Sequence, residues 1–501
     1  MSNKKIVIIG AGMAGLSAGC YAQMNGFGSC IYEMHTNPGG LCTSWTRGDY
    51  TFDGCIDWLT GSSPDGMFYP LWQELGVIQN NTFLYEEEYC RYTGRGGCEL
   101  VFHLDIERLE REFMQFSRED ADIVEELCNL IRIFKGFRPN VATAMEVMGT
   151  IDYLKMMPDI LLHGRQYRNF FKYGRMSMGE FAARFKNTEL RDMLSSIWNS
   201  NMPVSLFATT MAWCSDRTAG YPQGGSLKLA GGIEKRYVEL GGRICYKQRV
   251  EKIVVKDGRA VGIILADGSE VPADIVVSAA DGHSTVYNLL DGKYLSDKLK
   301  DWYERMPTFP PYIQISLGVN RDMSGQPRLR YWRMDKPLMI AGHEVPYMIL
   351  HNYSFDRTLA PKGKTPLVLR FFSDYEYWQE LANDRKKYRS EKDVLAKAAI
   401  EELEKLYPGI REQIVVADVA TPTTYVRYTD TWRGATMSWL PTTTNFAKSL
   451  DKTLPGLDTF YMAGQWLIPG GGLPNALKTG RDVVQMICKK NRKEFQTSMP
   501  D

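Results

Sequence analysis

The sequence predicts an α/β fold in which one parallel-sheet domain is assembled from three separated stretches, with a mixed α+β domain threaded between them. Three observations predict it. A short β-branched run at 5–9 enters a glycine-rich turn, a helix and a β-meander occupy 225–281, and an apolar run at 459–463 leads to a second glycine-rich turn and a closing helix. At 501 residues the chain exceeds one ordinary core, which fits two intertwined domains.

The first element, Lys5-Ile6-Val7-Ile8-Ile9, has the composition of a strand buried on both faces of a parallel sheet. It runs into Gly10-Ala11-Gly12-Met13-Ala14-Gly15. The first glycine permits a tight turn, the second lets a pyrophosphate approach bare backbone, and the third lets the next helix pack close to the strand. That helix, whose apolar members run from Leu16 to Met24, offers its positive N-terminal end to phosphate. A second strand, Ser29-Cys30-Ile31-Tyr32, ends on Glu33, where a carboxylate can accept both hydroxyls of an adenosine ribose. Strand, glycines, helix, strand and acid in this order make a Rossmann-like unit.

The continuation Asn37-Pro38-Gly39-Gly40-Leu41-Cys42 separates FAD from NAD. Glu33 followed by a paired-glycine loop resembles the FAD-binding signature of the amine oxidase and phytoene desaturase superfamily. The stretch from Arg47 through Asp53, Asp57 and Trp58 to Gly61, and the block Tyr221-Pro222-Gln223-Gly224-Gly225-Ser226, resemble the branch of phytoene desaturases, carotenoid isomerases and retinol saturases.

After that block a helix is expected from about 227 to 240. Asp257-Gly258 and Asp267-Gly268 then separate apolar runs at 247–255, 260–265 and 270–271, which predicts a β-meander. Ile275-Val276-Val277-Ser278 reads as a return strand to the parallel sheet. At the C-terminus, Phe460-Tyr461-Met462 leads through Gly464-Gln465 and Gly470-Gly471-Gly472-Leu473-Pro474 into a helix expected from about 476 to 488. A helix N-terminus there would stabilise negative charge gained by a flavin ring.

The resemblance implies FAD as the cofactor. It implies contacts from Gly10, Gly12, Met13, Ala14 and Gly15 at the diphosphate, from Glu33 at the ribose, and from Met34, Gly39, Gly40, Leu41 and Cys42 along the paired-glycine loop. It adds Val250, whose main chain would hold the adenine, and Ala280 beyond the return strand. Gly464, Gln465, Gly472, Leu473 and Pro474 would lie toward the flavin. Gln465 stands where the family usually has an acid that binds the ribityl chain; glutamine keeps an acceptor and adds a donor.

The expected organisation is a discontinuous Rossmann-like FAD-binding domain at 1–75, 218–290 and 455–493, with a mixed α+β substrate domain at 76–217 and 291–454. Within the latter, 150–185 mixes bulky apolar residues such as Leu154, Leu161 and Phe171 with Lys155, Arg165, Arg168, Lys172 and Arg175. This predicts either a helical lid packed on its own protein or a segment lying in a bilayer interface.

For chemistry, Asp57 could move a proton near the flavin, and His351 could line the cavity and relay protons near neutral pH. His103, His163, His283 and His343 lack ligand-like partners at short spacing, so no metal site is expected. The formal net charge of +1 gives no global field to gather nucleic acid. The ten cysteines are scattered, with no C-x-x-C pair, and read as reduced thiols. With no apolar leader and no window approaching 18 apolar residues, the expected location is cytoplasmic, with peripheral membrane contact only if 150–185 is the interfacial segment rather than the lid.

The function these features imply is hydride exchange between FAD and a lipophilic small molecule, an apolar alkene or polyene, as desaturation, saturation or isomerisation. The alternatives are a flavin amine oxidase and, in another class, a binding protein resembling Rab GDP-dissociation inhibitors with no redox activity. No oligomeric state follows from the sequence.

Overall fold

The computed structural model describes residues 4–500, so residues 1–3 of the expected organisation lie outside the described part. Five parallel strands form the first sheet, in the spatial order Arg243–Cys245, Gly28–Tyr32, Lys5–Ile9, Ile275–Ser278 and Phe460–Met462. Lys5–Ile9 lies at its centre and, as its composition predicts, is buried on both faces. Ile6 and Ile8 point into one apolar cluster, and Val7 and Ile9 into another.

Helices Met13–Met24, Gly225–Glu239 and Gly472–Lys490 cover the first of these faces. They approach closely because small residues stand at the crossings. A Cβ on Gly480 would meet the Ala14 carbonyl oxygen at 2.3 Å, and one on Gly19 would meet the Tyr237 ring at 2.8 Å. The meander Val250–Lys256, Arg259–Leu265 and Glu270–Pro272 covers the opposite face.

Two details depart from expectation. The last helix begins at Gly472 rather than near 476 and takes Pro474 into its first turn, where a missing N–H carries no penalty. The edge strand Arg243–Cys245 was not anticipated, because three residues are too short to carry a pattern.

The second sheet has seven strands in the order Ile414–Ala420, Tyr312–Val319, Thr365–Phe372, His343–Asn352, Leu329–Ile340, Glu88–Thr93 and Glu99–His103. All its pairings are antiparallel except that of Leu329–Ile340 with Glu88–Thr93. Alternation along the strands gives it two unlike faces. Ile313, Ile315, Leu317, Leu367 and Leu369 share an apolar cluster with Leu395, Ala399 and Leu403 of the helix Arg385–Leu406. Gln314, Ser316, Arg370 and His351, all buried, lie on the other face, toward the first domain.

A helical layer completes this half, with Ile106–Phe116, Ala121–Phe134, Thr188–Ile197 and Val204–Ser215 contributing to one core. The 150–185 region opens with two helices. Gly164–Gly174 buries Tyr173 and Gly174, whereas Thr150–Leu162 buries no residue at all. Leu154, Leu161 and Leu162 are 65%, 76% and 78% exposed.

Candidate active site

Where the first sheet's order reverses, the strand ends open into a cavity of about 460 Å³. Its floor is the turn after Lys5–Ile9, and the helix Pro422–Thr429 contributes to the opposite wall. Every residue expected to hold the cofactor lines this cavity except Gly15 and Pro474. Gly15 acts in packing: a Cβ there would meet the Gly10 carbonyl oxygen at 1.9 Å. Pro474 lies within the first turn of the last helix.

The cavity fits a dinucleotide on three counts. Gly12 caps the helix Met13–Met24 without any side-chain cap, and a Cβ on it would meet nothing within 4 Å, so bare backbone and a helix N-terminus face open space. Glu33, buried, is already oriented, because its Oε2 accepts the Ala11 amide at 2.7 Å and its Oε1 the His35 amide at 2.8 Å. The paired-glycine loop is tied to the first turn, with the Gly39 amide donating to the Ala11 carbonyl at 2.8 Å. Gly39 also requires its left-handed φ of 106°, and a Cβ there would strike the Cys42 carbonyl oxygen at 2.2 Å.

At the opposite end, Gly464, at φ 129°, donates its amide to Thr479 Oγ1 at 2.8 Å, and a Cβ on it would again meet open space. Gln465 turns its Nε2 to the Thr436 carbonyl at 3.3 Å.

Two buried acids organise this region, and sequence reading gave neither a role. Asp53 accepts the amides of Cys55, Ile56 and Ser226 at 2.9, 3.0 and 2.5 Å, together with the Ser226 hydroxyl at 2.8 Å. It thereby clamps the 47–61 stretch to the start of Gly225–Glu239. Asp281 lines the cavity and accepts the amides of Ser284 and Trp432, both at 2.9 Å. Burial pushes its carboxyl up most, those amides oppose, and neighbouring Asp430 adds to the rise, leaving it at about 7.

Asp57 and His351, the two residues expected to carry chemistry, come together: His351 Nδ1 stands 3.1 Å from Asp57 Oδ1. Neither lines the cavity. Sequence reading missed their third partner, Arg370, whose Nη1 lies 3.3 Å from Asp57 Oδ2. Arg328 adds a contact to the Asp57 carbonyl oxygen.

Burial pushes the Asp57 carboxyl up, but His351, Arg370 and Arg328 outweigh it and hold the group well below the ordinary carboxylate range. Burial, with Arg370 next, pushes the His351 imidazole down, so it is neutral at pH 7. Asp57 is therefore an anion that orients His351 and Arg370, with no proton to donate near neutrality.

One aromatic layer separates this cluster from the cavity. The Arg370 guanidinium lies 5.2 Å from the Tyr312 ring centroid. The Tyr312 hydroxyl donates to the Gly54 carbonyl at 3.2 Å, and its ring lies 5.4 Å from that of Tyr425. Gly54 and Tyr425 both line the cavity.

Among the described residues, no group of three or more His, Cys, Asp or Glu side chains could hold a metal ion. Nor is any helix long and apolar enough to cross a membrane.

Comparison with known proteins agrees with this geometry. Residues 13–488 match the family described as flavin containing amine oxidoreductase. A chloroplastic prolycopene isomerase of Daucus carota is 24% identical over 482 residues, covering 93% of this chain and 77% of its own length. A lycopene-forming phytoene desaturase of Pseudescherichia vulneris is 25% identical over 513 residues, covering 97% of this chain and 99% of its own.

Among solved structures, an oxidoreductase from Methanosarcina mazei superposes with a TM-score of 0.60 at 15% identity, over 96% of this chain and 100% of that one. Cyclohexylamine oxidase from Brevibacterium oxydans gives 0.56 at 13% identity, over 98% and 100%. At such identities these two carry the fold alone. A crevice shaped for a dinucleotide and a family match running through all three of its segments lead to one conclusion: this chain belongs to the flavin containing amine oxidoreductases, on their phytoene desaturase and carotenoid isomerase side, and is an FAD-dependent oxidoreductase.

Proposed function

We propose that the enzyme exchanges a hydride between its flavin and an apolar alkene or polyene, as a desaturase, a saturase or a redox-neutral isomerase. When bound, FAD supplies the hydride acceptor or donor at N5; the chain's own residues bind, orient and shield. In this reading the first-turn amides after Gly12 hold the diphosphate, and Glu33 holds the ribose. Gln465, whose donor is engaged by Thr436, turns its carbonyl oxygen to the ribityl chain. The N-terminus of Gly472–Lys490, which has no side-chain cap, lies under the ring.

The observation that favours an alkene over an amine is the pairing of the buried Arg370 and the half-buried Arg328 behind the cavity wall. Arg370 pairs with the Asp57 carboxylate and Arg328 with Glu86, so both carboxylates of this cluster are engaged and neither is free to bind an ammonium. Full-length relatives named as isomerases and desaturases of carotenoids support the same reading.

Access for a lipophilic substrate is assigned to the helix Thr150–Leu162. Its exposed Ile151, Leu154, Leu161 and Leu162 would enter a lipid interface, with Lys155, Arg165 and Arg168 at the headgroups.

The test is anaerobic mixing of the holoenzyme with isoprenoid alkenes or with amines, following the flavin spectrum and the isomer composition of the alkene. Flavin bleaching or alkene isomerisation supports the proposal. Bleaching by amines alone rejects it.

A further inference from the structure

Two cations on the lining of the cofactor cavity, Lys392 and Arg427, have no ionic partner in the protein. The other charged side chains there are engaged. Arg47 Nε lies 3.4 Å from Asp418 Oδ1 and Arg249 Nη2 lies 3.3 Å from Asp430 Oδ1, while Glu33 and Asp281 accept backbone amides. The side chains of Lys392 and Arg427 form no ion pair and no hydrogen bond with any described residue. Each charge stands near an aromatic ring instead, Lys392 Nζ at 5.5 Å from the Tyr388 centroid and the Arg427 guanidinium at 4.6 Å from that of Tyr428.

Both belong to helices of the second domain that form the wall across from the glycine turn. Pro422–Thr429 turns Thr424, Arg427 and Tyr428 to the cavity, the spacing of one helix face. The helix Arg385–Leu406 is fastened to the start of that helix, because the Tyr388 hydroxyl meets Thr421 Oγ1 at 2.6 Å and Thr423 Oγ1 at 3.2 Å. Lys392, one turn beyond Tyr388, is thereby held at the same wall. This wall is pinned to the first domain, since the Ser284 hydroxyl donates to Asp430 Oδ2 at 2.6 Å and the Trp432 amide to Asp281 at 2.9 Å.

The facing wall has no free cation for a diphosphate. The turn at Gly12 offers bare amides and a helix end, and the paired-glycine loop from Asn37 to Cys42 contains neither Lys nor Arg. The cations of the first domain that line the cavity, Arg47 and Arg249, are held by Asp418 and by Asp430 and Glu251. Each phosphate brings a negative charge close to the buried Glu33 carboxylate, and a helix N-terminus, worth about half a unit charge, leaves most of it unbalanced.

We propose that Lys392 and Arg427 are cofactor-binding residues that supply the counter-charge to the FAD diphosphate from the second domain. The cofactor is then gripped between the helix end at Gly12 and the helices Pro422–Thr429 and Arg385–Leu406, and its binding draws the two domains together. The assignment goes beyond the alkene reading and holds whichever substrate the enzyme takes.

The experiment titrates the full-length apoprotein by calorimetry with FAD, ADP and adenosine, for the unaltered chain, Lys392→Gln, Arg427→Gln and the double variant. FAD and ADP are expected to bind roughly 5- to 10-fold more weakly in each single variant and roughly 30- to 100-fold more weakly in the double one. Adenosine, which has the same ribose and base but no phosphate, is expected to behave alike in all four. Melting temperatures of the apoproteins are expected to agree, because neither side chain bonds to the protein. In the unaltered chain, raising salt from about 50 to about 500 mM is expected to weaken ADP and leave adenosine unaffected, a comparison that stands whether or not the variants fold.

An ADP affinity unchanged in the double variant, an equal loss for adenosine, or an ADP affinity indifferent to salt overturns the assignment. A folded apoprotein that binds neither FAD nor ADP overturns it together with the dinucleotide crevice itself. The alkene reading is judged separately, by its own anaerobic assay.

Discussion

The Asp57 carboxylate and the Arg370 guanidinium meet at 3.3 Å across 313 positions of sequence, joining the strand-rich start of the chain to an interior strand of the second sheet. His351 reaches the other oxygen of the same carboxylate. Removing Asp57 therefore leaves a buried guanidinium without its anion. Asp57→Ala is expected to lower unfolding stability by about 3–5 kcal/mol, read by denaturant titration of the holoenzyme. Flavin content per folded chain is expected to persist, because Asp57 does not line the cavity.

Gly12 and Gly15 separate binding from packing within one turn. At Gly12 the backbone is extended at φ −69° and a Cβ would enter open space, so Gly12→Ala is expected to leave the apoprotein's melting temperature nearly unchanged while weakening FAD binding. Gly15→Ala is expected to destabilise the fold itself, since its Cβ would meet the Gly10 carbonyl oxygen at 1.9 Å. Calorimetry of both variants with and without FAD reads the contrast.

Glu33 makes two hydrogen bonds to the protein backbone and, in the proposed role, accepts the ribose hydroxyls. Glu33→Gln keeps the shape and removes the charge. Loss of charge-assisted bonds is expected to weaken FAD by about 1.5–3 kcal/mol, seen as flavin lost on gel filtration.

Asp281 sets a pH dependence of known sign. Its folded-state value of about 7 exceeds the ordinary aspartate value of 3.8, so the folded protein binds more protons than the unfolded chain between those limits. The stability Asp281 contributes is complete below about pH 4 and is lost as pH rises through about 7. His351, pushed down by burial, works in the opposite sense below its ordinary 6.5. Comparing wild type with Asp281→Asn from pH 5 to 8 isolates the aspartate: the variant is expected to gain on wild type as pH rises.

The exposed helix Thr150–Leu162 yields a prediction independent of the flavin. Replacing Leu161 and Leu162 together by Asp is expected to change stability by less than about 0.5 kcal/mol per site, because neither side chain packs on the protein. Co-sedimentation with anionic lipid vesicles is expected to fall sharply.

The dinucleotide half was readable because its motifs are local: strand, turn glycines and helix lie within one short stretch, and each residue type follows from backbone geometry. The meander was announced by Asp257-Gly258 and Asp267-Gly268, whose turns it needs. The second site resisted for the opposite reason. His351 and Arg370 stand on neighbouring strands whose register brings them to one face of the second sheet, and Asp57 reaches them from a bend 313 residues before Arg370 in the chain.

One signal for Arg370 did exist, a single cation in an apolar strand, and it acquires meaning once Gln314 and Ser316 are seen on the same buried face. Asp53 shows the same limit, since its role depends on Ser226, far along the chain. The choice between lid and lipid contact at 150–185 was likewise undecidable from composition, because both need the same residues.

The central claim is that three distant segments hold one FAD in the crevice beside Gly12, Glu33 and Gly464. Titration of apoprotein with FAD by isothermal calorimetry tests it most directly. One FAD per chain, with affinity reduced in Gly12→Ala and Glu33→Gln, is the expected result. Absence of any binding heat from a folded apoprotein, or affinity indifferent to both substitutions, would contradict it.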